Sequence, residues 1–326
     1  MQPLLKRVGG ISQDDSHGLV CQLLMSFEGI LLMTNSLRVA VLGALFLTAS
    51  LQAQQVQCLL VVNAASLEPG LPEPGALATV FCTGIQSVSG IVVAPTFSPL
   101  PQQLSGVSIR INDFYLAPIL AVANLGDRQQ INFQVPNERL LAQLSRLQVL
   151  SRDSSGAPQN SAPVDNLDYP KTGGFFADAG GLAFARHAAD GSWVTTQNPA
   201  TSGETIMILG TGFGATYPPK PVAFPTPAGP VFSGNLDFLV AGTQYTTSQP
   251  LRVLNVGPRA AKVSSIGLAA GYLGVDQIVF DVPDGAGSGN VDVNLQAGST
   301  FCGPPPIPGC HFSALNTSNT VKLPVR

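Results

Sequence analysis

The chain has little charge. Only 11% of its 326 residues are Asp, Glu, Lys or Arg, and the formal net charge is −3, where ordinary soluble proteins carry about 25% charged residues. No basic run is present, so there is no electrostatic footprint for nucleic acid. Histidine is nearly absent: His17, His187 and His311 stand far apart. A lone histidine with no nucleophile or carboxylate beside it reads as a solvated surface residue, not a general base. The chain contains no GxSxG, HExxH, CxxC or GKS/GKT. That removes the usual signatures of serine hydrolases, zinc peptidases, zinc knuckles and phosphate loops. Asp178, Asp190, Asp281, Asp284 and Asp292 could offer oxygens to calcium, but the spacing of a calcium loop is missing. The expectation is therefore no catalytic residue, no cofactor and no metal site.

Glycine (34) and proline (27) are abundant instead. Few charges with many turn-formers point to an all-β chain. One glycine-rich stretch, Gly210-Thr211-Gly212-Phe213-Gly214, imitates a dinucleotide-binding loop. Such a loop needs a helix after it, because the helix N-terminus holds the pyrophosphate. Here prolines follow at 218, 219, 221, 225, 227 and 230, and proline forbids that helix. The stretch reads as a strand, Thr205 to Leu209, running into a turn and a stiff extended loop that bridges the two sheets of a sandwich. Neither nucleotide nor nucleic acid is expected as a partner.

The N-terminus carries a targeting pattern. From Met33, Arg38 supplies a positive start, Val39 to Ala49 an apolar run, and Ala53 a small residue before cleavage. The run is too short to span a bilayer, which favours a cleaved secretory signal over a retained anchor. The expected layout is an N-terminal extension over 1–32, a signal peptide over 33–53, and a secreted or cell-surface chain after it, with no membrane span once the signal is removed.

That chain is a repeat. Val80-Phe81-Cys82-Thr83-Gly84 aligns with Ile208-Leu209-Gly210-Thr211-Gly212, and the segment Gln130 to Pro136 aligns with Gln277 to Pro283. Val107, Ile109 and Ile111 alternate with polar residues, as do Ile131, Phe133 and Val135, and Ile278, Phe280 and Val282. Period-two alternation marks strands with one buried face, and a unit of roughly a hundred residues is the size of one β-sandwich. Asn112-Asp113 and Gly257-Pro258 fall at equivalent turns. Residues 137–150 read as a short helical turn followed by a strand from Leu147. The predicted fold is all-β, with a first sandwich over 54–168, a hairpin linker over 169–197 and a second sandwich over 198–326. Phe175, Phe176, Phe184 and Trp193 are expected to form one hairpin wedge between the sandwiches, with its turn at Asp190-Gly191. Trp193 would then pack at the joint, although a sugar-stacking platform is the competing reading.

The segments "VVNAAS", "QINFQVP", "LGTGFGAT" and "GLAAGYLGVDQIVFDVP" together resemble an uncharacterised C-terminal domain family of exported acidobacterial proteins, itself similar to immunoglobulin-like TIG (IPT) sandwiches. The resemblance runs from Val61 to Val325. It implies export and β-sandwich modules, and it brings no catalytic residues. The chain departs from the family at "FCTGI" and "FCGPPPIPGCHF", both of which add cysteines.

Apart from Cys21 in the extension, the cysteines are Cys58, Cys82, Cys302 and Cys310, an even set suited to disulfides in an exported chain. If the strand from Cys58 to Ser66 turns at "LEPGLPEPG" and returns from Ala76 to Thr83, Cys58 comes close to Cys82. Cys302 and Cys310 bracket a compact "GPPPIPG" loop. The predicted pairs are Cys58–Cys82 and Cys302–Cys310. The functional expectation is a non-catalytic adhesive or structural module for an extracellular protein or glycan, with a carbohydrate-binding accessory domain as the alternative.

Overall fold

Alternating apolar residues fold into twenty short strands and no helix among the described residues. The computed structural model describes residues 55–95, 98–137, 145–167, 173–214, 220–227, 250–302, 310–312 and 316–326, with main chain alone at 166, 250–252, 297–302 and 310–312. The 33–53 signal segment, the 1–32 extension and the helical turn expected after 137 lie outside them. Val56–Arg326 form one compact unit.

The first half contains β1 (Gln57–Asn63), β2 (Leu77–Thr83), β3 (Ile91–Val93), β4 (Ser108–Ile111), β5 (Tyr115–Ala117), β6 (Ile119–Asn124), β7 (Gln129–Gln134), β8 (Ser145–Leu150) and β9 (Val164–Leu167). They form two antiparallel sheets, ordered β1-β2-β7-β6-β3 and β5-β4-β8-β9. Val61, Val80, Ile131 and Phe133 from one sheet meet Ile109, Ile111, Leu147 and Val149 from the other in a single apolar core.

The second half contains β10 (Gly174–Phe175), β11 (Ala185–His187), β12 (Thr205–Thr211), β13 (Pro250–Val256), β14 (Arg259–Ala260), β15 (Lys262–Leu268), β16 (Asp276–Asp281), β17 (Gly289–Cys302), β18 (Cys310–Phe312), β19 (Asn316–Thr317) and β20 (Val321–Val325). One sheet runs β10-β12-β16-β15, with β11 also on β12; the other runs β14-β13-β17-β18, with β19 and β20 on β17. Ile206, Ile208, Ile278 and Phe280 face Leu254, Val293, Leu295 and Leu323 in a second core. The protein is two tandem immunoglobulin-like sandwiches.

The repeat is preserved at the level of register. Phe133 lies between Ala78 and Ile119, and Phe280 lies between Ile206 and Val263. Both phenylalanines are fully buried. Each partner strand bulges at the same place, between Ile119 and Ala121 in β6 and between Val263 and Ser265 in β15. The turns at Asn112-Asp113 and Gly257 also match, each with left-handed backbone that these residue types tolerate.

Two expectations need adjustment here. The hairpin segment does not stand apart from the second sandwich, because β10 and β11 both hydrogen-bond to β12 and fill one edge of its sheet. Two small hairpins are present, one turning at Asp178–Gly181 and one at Asp190-Gly191. The aromatic wedge also divides. Phe175 enters the core of the second sandwich, while Phe176 and Phe184 pack with Leu77, Leu209, Ala269 and Val275 between the sandwiches. Neighbouring residues on a strand point to opposite faces, so Phe175 and Phe176 were bound to part company.

Candidate functional site

The glycine-rich stretch lies at the joint between the two sandwiches. Thr211 Oγ1 accepts the Leu77 N–H at 3.0 Å and donates to the Gly274 carbonyl at 2.7 Å. Asn63 Nδ2 donates to the Thr211 carbonyl at 3.2 Å. Gly212 holds φ at +83°, and a Cβ there would fall 2.7 Å from Asn63 Nδ2. At Gly210 a Cβ would fall 2.3 Å from the Gly174 carbonyl oxygen. Gly212 thus leaves room for the Asn63 side chain of the first sandwich, and Gly210 lets the β10 backbone approach within the second.

The proline loop completes the joint. It joins β12 to β13, in the two sheets of its own sandwich, as the sequence suggested, and its described residues 220–223 also reach the first sandwich. Gln134 Nε2 donates to the Pro221 carbonyl at 2.8 Å, Gln134 Oε1 accepts from Ala223 N–H at 2.8 Å, and Asn137 Nδ2 donates to the Lys220 carbonyl at 2.9 Å. Lys220 Nζ then reaches back to Asp276 Oδ2 at 2.8 Å, and both side chains are buried. Asp276 is thus the anion of a buried ion pair. The sequence carries no local signal for it, since Lys220 and Asp276 are 56 residues apart.

His187 is held inside the second sandwich. It is not a solvated surface residue. β11 alternates so that Ala185 and His187 face inward and Arg186 outward. The His187 imidazole is buried between Glu204 Oε1, 2.5 Å from Nδ1, and the Asn198 carbonyl, 3.2 Å from Nε2. The hydrogen bond to Glu204 raises the His187 pKa, against burial, which acts in the opposite direction and is the largest single influence. Glu204 also accepts from the Thr201 N–H and hydroxyl. The network anchors the hairpin above it, where Asn198 Nδ2 bonds the Trp193 carbonyl.

Trp193 itself is not buried at the joint. It pairs with Arg186 on the outer face of the sheet, one row away from Leu209, the residue through which β12 enters the joint. It keeps 42% of its surface exposed while touching Phe184 edge-on. The other large exposed aromatics described, Phe114 and Phe224, sit on other segments, the β4–β5 hairpin and the proline loop. Beside Phe114, Gln102, Tyr115 and Leu116 line a shallow concavity of about 280 Å³.

The acidic residues considered for calcium serve turns and pairs. Asp178 and Asp190 cap their hairpin turns through backbone N–H groups. Asp281 accepts the Thr205 hydroxyl, Asp284 the Ser202 hydroxyl, and Asp292 pairs with Lys322. Among the described residues no three His, Cys, Asp or Glu side chains group to hold a metal ion, and no helix is long and apolar enough to cross a membrane.

Cys58 and Cys82 form a disulfide. The strands pair as expected, and an irregularity between Cys58 and Leu60 sets Cys58 directly opposite Cys82. Cys302 and Cys310 are directly opposite in the β17–β18 ladder; their side chains lie outside the described residues.

No protein-family model matches the chain, and no curated protein does. Solved structures are similar only distantly. A Ca2+-stabilized adhesin that helps an Antarctic bacterium bind ice shares 11% identity over 83% of this chain, with a TM-score of 0.19. This chain spans 49% of that protein's length. The C-terminal domain of the AgI/II polypeptide BspA from Streptococcus agalactiae shares 11% identity over 82% of this chain and 99% of its own, with a TM-score of 0.18. The D00-D0 domain of intimin shares 11% over 82% and 98%, with a TM-score of 0.15. The fold assignment rests on the sheet topology, not on these likenesses.

Proposed function

We infer that the protein is a non-catalytic adhesive module that works outside the cytoplasm and presents a rigid pair of sandwiches to a partner surface. The observation that carries this reading is how its buried and half-buried ionisable groups are used. His187, Glu204, Lys220 and Asp276 are all hydrogen-bonded to other protein groups, and they fasten a hairpin and the joint between domains. Groups spent on structure stiffen a scaffold. A surface module gains from that stiffness, because a preorganised contact face loses less entropy on binding. The Cys58–Cys82 disulfide supports an oxidising compartment, as does the apolar run after Arg38 in the sequence. The carbohydrate-binding reading is favoured by one specific observation, the half-exposed Trp193 on an outer sheet face.

Beads coated with the full chain provide the test. Retention under flow on polysaccharide-coated or protein-coated surfaces, above that of albumin-coated beads, is the expected result. Retention on none of them, or turnover of ester or glycoside substrates that tracks the purified chain, would overturn the reading.

A further inference from the structure

A row of side chains crosses the outer face of the sheet built on β12. Trp193 faces Arg186, Arg186 faces Met207, Met207 faces Val279 and Val279 faces Ser265. Directly opposed residues share one face of a sheet, and this face is turned away from the core. Four strand spacings make the row about 19 Å long.

Arg186 is the chemical centre of the row. Its guanidinium carbon lies 4.2 Å from the centroid of the Trp193 ring and 6.0 Å from that of Tyr272. Its Nη2 donates to the Tyr272 hydroxyl at 2.8 Å. Aromatic faces hold a guanidinium in place without neutralising it. No carboxylate does so either: the ion pairs among the described residues use Arg128, Arg146, His187, Lys220, Lys262 and Lys322. Arg186 Nε is buried and has no hydrogen-bond partner, so a ligand would meet the Nη side of the guanidinium. The other charges on this face, Lys262 and Asp281, pair with each other at 3.8 Å. Among the described residues, this face therefore carries a cation with no carboxylate partner beside a half-exposed indole.

We propose that this row is a binding site for acidic polysaccharides, in which a uronate ring lies against Trp193 and its carboxylate is taken by Arg186. The planar fork of a guanidinium matches a carboxylate, and an indole offers a large apolar surface with one polar edge. The length of the row suits a linear polymer, with Met207 and Val279 continuing the apolar contact and Ser265 ending it. The proposal rests on the adhesive reading and gives it a ligand class.

Calorimetric titration of the full chain with polygalacturonate, and with the same polymer fully methyl-esterified, tests it. The free acid binds, and the ester, which keeps the rings and loses the charge, binds at least about tenfold more weakly. Arg186→Gln and Trp193→Ala each weaken binding by about tenfold or more. Arg186→Lys restores only part of it, because an ammonium has no fork. Phe114→Ala, which removes an exposed ring from the other sandwich, leaves binding unchanged. Thermal melts accompany each variant; if Arg186→Gln melts early, Trp193→Ala decides, since it alters a half-exposed side chain. The proposal is overturned if polygalacturonate, alginate and hyaluronate all fail to bind, if acid and ester bind equally, or if the Trp193→Ala chain binds as well as the native one. Coated beads distinguish this failure from failure of the adhesive reading. Beads carrying Trp193→Ala that hold to a surface as firmly as native ones refute the site and leave adhesion standing.

Discussion

Lys220 Nζ lies 2.8 Å from Asp276 Oδ2, with the two side chains only 1% and 4% exposed. The same Asp276 oxygen accepts the Phe213 N–H at 3.1 Å, and the Lys220 carbonyl is held by Asn137 of the first sandwich. The ion pair and the Asn137 hydrogen bond together tie the proline loop to both domains. Removing one charge leaves the other buried and uncompensated, so Lys220→Met or Asp276→Asn alone costs about 3–5 kcal/mol. The double replacement removes both charges and keeps an acceptor for Phe213, and it costs less than either single change. Urea unfolding of the three variants checks the order. A double variant that is the least stable of the three would show that the pair is worth more than its desolvation.

The His187–Glu204 pair gives stability a pH window. Burial, the largest influence on His187, pulls its pKa down, but the bonds to Glu204 and the Asn198 carbonyl outweigh it and hold the imidazole above its ordinary 6.5. Burial, again the largest influence, pushes Glu204 up, but bonds to His187 and Thr201 hold it below its ordinary 4.5. The imidazolium contribution is complete below pH about 6.5 and is lost as pH rises through the raised value. The carboxylate contribution is complete above pH about 4.5 and is lost as pH falls through the depressed value. Melting temperature is expected to be higher at pH 5.5 than at pH 8.5, and His187→Gln is expected to flatten that difference. Equal slopes for the native chain and the variant would mean that the pair does not titrate in this range.

Phe133 and Phe280 occupy equivalent positions, each fully buried at the centre of its sandwich beside a bulged strand. Replacing either with alanine removes a large buried side chain and leaves a cavity, at about 3–5 kcal/mol each. The two sites belong to separate cores, so the double variant loses the sum to within about 0.5 kcal/mol. Chemical denaturation of both singles and the double measures this. A larger shortfall would reveal that the cores communicate through the joint.

The cysteines divide into a bond and a prediction. Cys58 and Cys82 are joined across β1 and β2, and replacing both with serine is expected to cost about 2–4 kcal/mol. Cys302 and Cys310 stand opposite each other in the β17–β18 ladder, which predicts a second disulfide under oxidising conditions. Thiol labelling before and after reduction, with peptide mapping, counts them. Labelled Cys302 and Cys310 in the unreduced chain would show that the register alone does not close this bond.

The sequence by itself determined the class and the repeat of this protein. Alternation at Ile131, Phe133 and Val135, and again at Ile278, Phe280 and Val282, sets which face of each strand is buried, because side chains alternate strictly along a strand. Prolines after Gly214 argue against a helix there for an equally local reason. Only the tertiary structure decided what the polar residues do. Lys220 and Asp276, His187 and Glu204, and Arg186 and Tyr272 are each brought together from different segments of the chain, and no sequence window contains the loop of one sandwich folding onto the other. Trp193 shows the same division. Its hairpin turn at Asp190-Gly191 is local and legible, whereas its exposure depends on where the joint ends. The joint ends at Leu209, one row short of Arg186. Packing of the first sandwich against the second covers Phe176 and Phe184 and leaves Trp193 half in solvent, stacked on a cation, because the contact area between the two domains runs out there.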